Sequence, residues 1–218
     1  MIFLLFSFCT TNDVFLFHTR KAGGSSLRKA LPGAMVTEGY NLNRTKSELW
    51  VTSIRDPVDR LWSSFKYEGR WQLARHAGQS QYEQSFLTWH AKTNSSYCTF
   101  KTWQCSANCF TKWFSGCTSG LTQTHFANAV KNLAQFDVVI NVHLLKNLNY
   151  MVAVQKCLNL TFPLTHSLPR WMGRQAAEAN LKHPLAYPER RPLVNANALD
   201  YKLLKPYWSR HPCPHLAI

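Results

Sequence analysis

Two short stretches carry residues that could hold a phosphate between them. In the first, VFLFHTRKAGGSSLRKAL, Lys21 and Ala22 precede Gly23, Gly24, Ser25 and Ser26. Glycines let backbone N–H groups approach an anion, hydroxyls add donors, and a lysine adds a point charge. In the second, TSIRDPVDRLWSSF, Arg55 stands two helical turns before Ser63. The planar fork of arginine suits bidentate contact with phosphate. Each stretch also has a plainer reading. The first can be an ordinary turn before a helix; in the second Arg55 can pair with Asp59 along a helix, leaving Ser63 an ordinary helix position. The nucleotide-binding signature GxxxxGK[ST] places its lysine after the glycines, whereas Lys21 comes before them, so a triphosphate loop fits badly.

Bringing the two stretches together requires particular elements. VFLFH (Val14 to His18) reads as a buried strand and GSSLRKAL as a helix stopped at Pro32-Gly33. AMVT forms a short strand ending before Glu38, and LWVTSI (Leu49 to Ile54) a second β-rich run. DPVDRLWSSFKY opens a helix with Asp56 as N-cap and Pro57 at its first position. FDVVINV is a further strand, preceded by a helix whose Phe126, Val130 and Leu133 form a core stripe. LLKNLNYMVAVQKCL follows as one helix, and NALDYKLLKPYW begins with Asn197 and Asp200, a variant of the capping box. Strands alternating with helices predict an α/β fold, P-loop-like in layout, with three layers and a central, mainly parallel sheet flanked by helices. The expected organisation is an apolar stub over residues 1–13 and a single domain over 14–218, with a mostly helical insertion at about 70–120 that lies over the site.

The chain has 218 residues, 45% of them hydrophobic, enough for one globular domain with a real core. Its 25 basic and 11 acidic residues give a net charge of +14, a field that favours an anionic cofactor, substrate or polymer. The basic residues are scattered, with adjacent pairs only at Arg20-Lys21, Arg28-Lys29 and Arg190-Arg191. No zinc-finger, RNP or basic-zipper pattern accompanies them, which argues against a nucleic-acid partner. Of the seven cysteines, Cys98, Cys105, Cys109 and Cys117 cluster without the close pairs of a structural zinc site, so no metal is expected. With sequons at Asn43, Asn94 and Asn159 they lean toward an oxidising, secretory compartment, with Cys9 the candidate for the odd thiol. The opening MIFLLFSFC is about half of the ~20 residues that span a bilayer and lacks a basic leader or cleavage site. A truncated anchor, a poor signal sequence and a buried strand all remain open.

The pair FHTRKAGGSSL and IRDPVDRLWSSF resembles the two donor-binding signatures of the Golgi carbohydrate sulfotransferases, the family that modifies heparan, chondroitin and dermatan sulfates. NCFTKWFSG, FDVVINVHLLKN and NALDYKLL are more weakly similar to later segments of that family. The resemblance implies a donor, 3′-phosphoadenosine 5′-phosphosulfate (PAPS), a carbohydrate acceptor with acidic polysaccharides among the candidates, and a type II membrane protein of the Golgi lumen whose anchor is not evident here. It implies that Lys21, Ala22, Gly23, Gly24, Ser25 and Ser26 hold the 5′-phosphosulfate and that Arg55 and Ser63 hold the 3′-phosphate. Lys21 then neutralises charge on the bridging oxygen, and no metal takes part.

Two departures stand out: Arg20 replaces the proline usual before the lysine, and His143 replaces a glutamate usual after the late strand. For the general base, Glu38 is the first candidate, because strand ends in open α/β sheets face the ligand crevice, and His18 the second. His76, Glu83 and His90 could contact acceptor, and Trp62 or Trp71 could stack on a ring, though core packing is the plainer role for a tryptophan. Arg60 and Asp59 read as helix-surface or structural partners. The alternatives are a nucleotide-dependent phosphotransferase and a noncatalytic relative that binds anionic glycans.

Overall fold

The computed structural model describes residues 14–37, 48–67, 86–87, 90, 105–117, 120–160 and 190–214. Four β-branched and aromatic runs become strands: β1 (Val14–Phe17), β2 (Met35–Thr37), β3 (Leu49–Ile54) and β4 (Val138–Asn141). They lie in the order β2-β1-β3-β4, and every neighbouring pair is parallel, with Phe15 beside Met35 and Trp50, and Thr52 beside Val139. Parallel neighbours need long crossovers. Helix α1 (Gly24–Ala30) lies between β1 and β2 in the chain. Among the described residues three helices, α2 (Pro57–Tyr67), α3 (Cys109–Ser115) and α4 (Gln123–Leu133), separate β3 from β4. Three more described helices follow it: α5 (Leu148–Cys157), α6 (Arg190–Ala196) and α7 (Ala198–Leu204).

Strands β1, β3 and β4 are buried on both faces, so their side chains divide between two cores by simple alternation, whereas β2 at the sheet edge is partly exposed. Phe15, Phe17, Trp50, Ile54 and Val139 pack with Phe110, Trp113 and Phe114 of α3, Phe126 and Leu133 of α4, and Leu203 and Leu204 of α7. Val14, Leu16, Val51, Val138 and Ile140 face the other way, onto Leu27 and Leu31 beside α1 and Val154 and Cys157 of α5. This is the expected three-layer α/β fold. Residues 105–117, the described end of the expected insertion, contribute Cys105, Cys109, Phe110, Trp113 and Phe114 to the first core. Trp62 joins Phe65 and Phe86 in a third cluster under α2, so its ring is a packing element. The outer edge of β4 is covered: Val139 N–H donates to Pro212 O at 2.9 Å, and the Cys157–Cys213 disulfide ties that segment to α5. A covered edge cannot recruit another strand.

Several local expectations change. The stripe on α4 is Phe126, Ala129 and Leu133, whereas Val130 is exposed. At 3.6 residues per turn, i+3 and i+4 flank the same line, and here the smaller residue takes the tight side. The segment after β4 is not one helix. A 3₁₀ turn (Leu144–Lys146) ends at Asn147, whose side chain accepts from Tyr150 N–H at 3.2 Å and starts α5. The capping box expected within α7 is replaced by an exchange between helices. Asp200 accepts from Phe110 N–H, Thr111 N–H and Thr111 Oγ1 at 3.1, 2.7 and 2.8 Å, capping α3. Asn108 in turn accepts from Leu199 and Asp200 N–H, capping α7. Arg60 is fully buried rather than on a helix surface. Both its Nη atoms donate to Cys105 O at 3.1 and 2.8 Å, and its guanidinium lies 5.0 Å from the Trp113 ring.

Candidate anion-binding site

From β1 the chain crosses to β2 on one side and returns to β3 on the other, so the strand order reverses between β1 and β3. In open α/β sheets a crevice forms there, outside the carboxyl ends of the strands. The structure has a cleft of about 500 Å³ at this place, lined by Gly23, Ser26 and Leu27 from the β1–α1 turn, Arg55 and Asp59 after β3, and Ile140, Val142, His143, Leu145 and Lys146 after β4.

The turn after β1 is shaped by two residues in the left-handed region, Lys21 at φ 64° and Gly23 at φ 88°. A side chain on Gly23 would also meet Val142 Cγ1 at 2.7 Å. Gly24 is required for a different reason, since a Cβ there would overlap the imidazole of His18. Thr19 anchors the turn to β3 by donating its hydroxyl to Ser53 O, and Ala22 N–H closes it onto Thr19 O at 3.2 Å. Ala22 itself is buried in the first core.

Arg55 leaves the end of β3 into a largely desolvated position. Its Nη1 donates to Lys21 O at a long 3.4 Å, and its buried Nε has no hydrogen-bond partner. Burial lowers its pKa, while the carboxylates of Asp59 and Asp56 raise it. Those carboxylates are held from the other side. Arg190 Nη2 donates to Asp56 Oδ1 at 2.7 Å and its Nη1 to Asp59 Oδ1 at 3.1 Å, while Tyr201 donates to Asp56 Oδ2 at 2.8 Å. Asp56 also caps α2, accepting from Val58 and Asp59 N–H at 3.0 Å each. After β4, His143 Nε2 lies 3.3 Å from Asp59 Oδ2 without hydrogen-bond alignment.

Of the residues singled out from sequence, Gly23, Ser26 and Arg55 meet on this cleft. Lys21 contributes its carbonyl to Arg55 but does not line the cleft, Ser25 is exposed on α1, and Ser63 is half-buried on α2 away from the lining. His18 ends β1, with its N–H on Thr37 O at 2.9 Å and its ring over Gly24. Glu38, His76, Glu83, Trp71, Cys9 and Cys98 lie outside the described residues. His90 is buried. Lys146 and the cleft-facing place of Asp59 have no counterpart among the sequence-derived candidates, where His143 stands only as a substitution. The signal for them was present: residues that follow the carboxyl end of a parallel strand face the crevice.

Cys105–Cys109 and Cys157–Cys213 are disulfides, and Cys117 is also disulfide-bonded. Ligand-type atoms of Cys157, His211 and Cys213 lie within 4.8 Å of one another, but two of the three are joined in that disulfide. Among the described residues no helix is long and apolar enough to cross a membrane. No family model matches the chain, nor does any curated protein or solved structure.

Proposed function

We propose that the chain is a sulfotransferase that moves the sulfuryl group of PAPS to a carbohydrate hydroxyl by in-line displacement. One observation carries this reading: the desolvated Arg55, with a buried Nε that lacks a partner, stands on the same cleft as the glycine turn. A protein keeps an underused cation out of water only against a cost, and a bound phosphate dianion supplies the missing acceptors. The donor-class fit rests also on the order of residues, with Lys21 ahead of Gly23 and Gly24 and Arg55 at the exit of the next strand.

In this reading the turn from Lys21 to Ser26 holds the 5′-phosphosulfate, and Arg55, with Ser63 as a second candidate, holds the 3′-phosphate. PAPS when bound supplies an activated sulfuryl group and leaves as adenosine 3′,5′-bisphosphate. Lys21 neutralises charge where the sulfur–oxygen bond breaks. Glu38 and His18 are the candidates to take the proton from the acceptor hydroxyl, which requires hydrogen-bond reach to it. The +14 charge suits an anionic donor and an acidic glycan acceptor. The disulfides agree with work in the Golgi lumen.

The test is transfer of labelled sulfate from PAPS to a panel of glycans, together with thermal stabilisation by adenosine 3′,5′-bisphosphate. Lys21→Ala is expected to abolish transfer and Arg55→Ala to abolish stabilisation. Stabilisation by ATP and magnesium instead would favour a phosphotransferase, and bisphosphate binding without transfer to any acceptor a noncatalytic relative.

A further inference from the structure

The part of the cleft that follows β4, beside Arg55, carries ionisable groups that neither the glycine turn nor Arg55 explains. His143 and Lys146 both line it. Among the described residues the charged groups around His143 come from several elements. They are Arg55 after β3, Asp56 capping α2, Asp59 on α2, Lys146 on the 3₁₀ turn, and Arg190 on α6, which bridges the two aspartates. Tyr201 of α7 donates to Asp56, and the Lys21 carbonyl steadies Arg55.

Three cations, Arg55, Lys146 and Arg190, stand against two carboxylates, Asp56 and Asp59, so the fixed balance is 3 − 2 = +1. A dianion entering the cleft leaves this site at −1, with Asp59 near enough to repel it. A partly desolvated site disfavours residual charge. Among the described residues that line the cleft, His143 alone can supply the missing positive charge near neutral pH, and its Nε2 already faces Asp59 Oδ2 at 3.3 Å.

We propose that His143 and Lys146 are ligand-contacting residues of the cleft, and that a dianion binds there with uptake of one proton from solvent by His143. The naming of that dianion as the 3′-phosphate rests on the sulfotransferase reading; the proton uptake rests on the cleft alone. Without ligand, burial first and then Arg55 and Lys146 push the imidazole below its ordinary value, while Asp59 and Asp56 pull it up. A bound dianion adds to the upward pull, so ligand and proton bind together.

Isothermal titration calorimetry of the whole chain tests this at neutral pH in two buffers of different ionisation enthalpy. The probes are adenosine 3′,5′-bisphosphate and, separately, inorganic sulfate, which keeps its two charges from weakly acid to alkaline pH. Uptake of about half a proton or more per ligand is expected for both probes. His143→Gln is expected to abolish that uptake and to weaken sulfate about tenfold at pH ~6 while leaving affinity nearly unchanged at pH ~8.5. Lys146→Met is expected to weaken both probes roughly fivefold throughout, with uptake retained. Tight bisphosphate binding without proton uptake, or uptake that survives His143→Gln, overturns the inference while leaving the sulfotransferase reading intact. Sulfate binding with His143-dependent uptake, but with bisphosphate no tighter than sulfate, upholds the inference and removes the nucleotide reading. No binding of either probe up to about 10 mM, a Kd too weak to matter, overturns both.

Discussion

Replacing Arg55 by methionine separates a binding residue from a structural one, because the two roles predict opposite pairs of results. The guanidinium carries five donors, yet in the structure it makes one long bond to Lys21 O and leaves a buried Nε without a partner. Losing that bond costs about 0.5–1 kcal/mol. The loss is offset because methionine does not resist the desolvation that lowers the Arg55 pKa. The expected change in stability is within about 1 kcal/mol, which for a chain of this size moves Tm by less than about 4 °C. Binding should respond far more. A phosphate dianion takes two charge-assisted bonds from the fork, each worth about 1.5–2 kcal/mol, so roughly 3–4 kcal/mol is lost. At 1.4 kcal/mol per decade this weakens adenosine 3′,5′-bisphosphate by about a few hundredfold. Scanning calorimetry reads the first quantity and titration calorimetry the second. A fall in Tm beyond about 8 °C, or an affinity within threefold of the parent, refutes the reasoning and makes Arg55 a structural residue.

Asp200→Ala removes the acceptor for three bonds at the buried start of α3. It should cost about 3–5 kcal/mol, read as a fall in urea midpoint with the m-value preserved. Replacing Cys157 and Cys213 by serine opens a loop of sequence separation 56; the chain-entropy relation gives about 4 kcal/mol, and protease should then release the C-terminal segment first. Lys112 is buried, and burial first lowers its pKa to about 8, against a raising effect of Asp200. Its folded value lies below its unfolded one, so the unfolded chain binds the extra proton between about pH 8 and 10.5. Stability should therefore rise with pH across that window, and Lys112→Met should flatten the rise in denaturant titrations at several pH values.

Pattern alone located much of the architecture. LWVTSI became β3 over the predicted residues, and Asp56 with Pro57 opened α2 as its capping chemistry requires. Such signals are local: alternation, caps and turn residues act within a few positions. The same locality explains the misreadings. Asn197 and Asp200 have the spacing of a cap for their own helix, but partners some ninety residues away use them, since Asp200 pairs with Thr111 at a separation of 89. For Arg60 the sequence leaves a helix-surface and a structural role side by side, because nothing in its neighbourhood announces the Cys105 carbonyl that decides for the second.

The site divides in the same way. Sequence by itself determined the parts of the cleft that are short-range devices: the glycine turn with its left-handed Gly23, and Arg55 at the exit of a strand. Tertiary structure alone decided which of these face one another. The reversal of strand order between β1 and β3 opens the cleft, and the pairing of β4 beside β3 brings His143 and Lys146 into its lining with Arg55. The field around Arg55 and His143 is a sum over Asp56, Asp59 and Lys146, drawn from positions about ninety residues apart along the chain. Electrostatic energy depends on distance through space and on burial, and neither is written in the order of residues until the chain has folded.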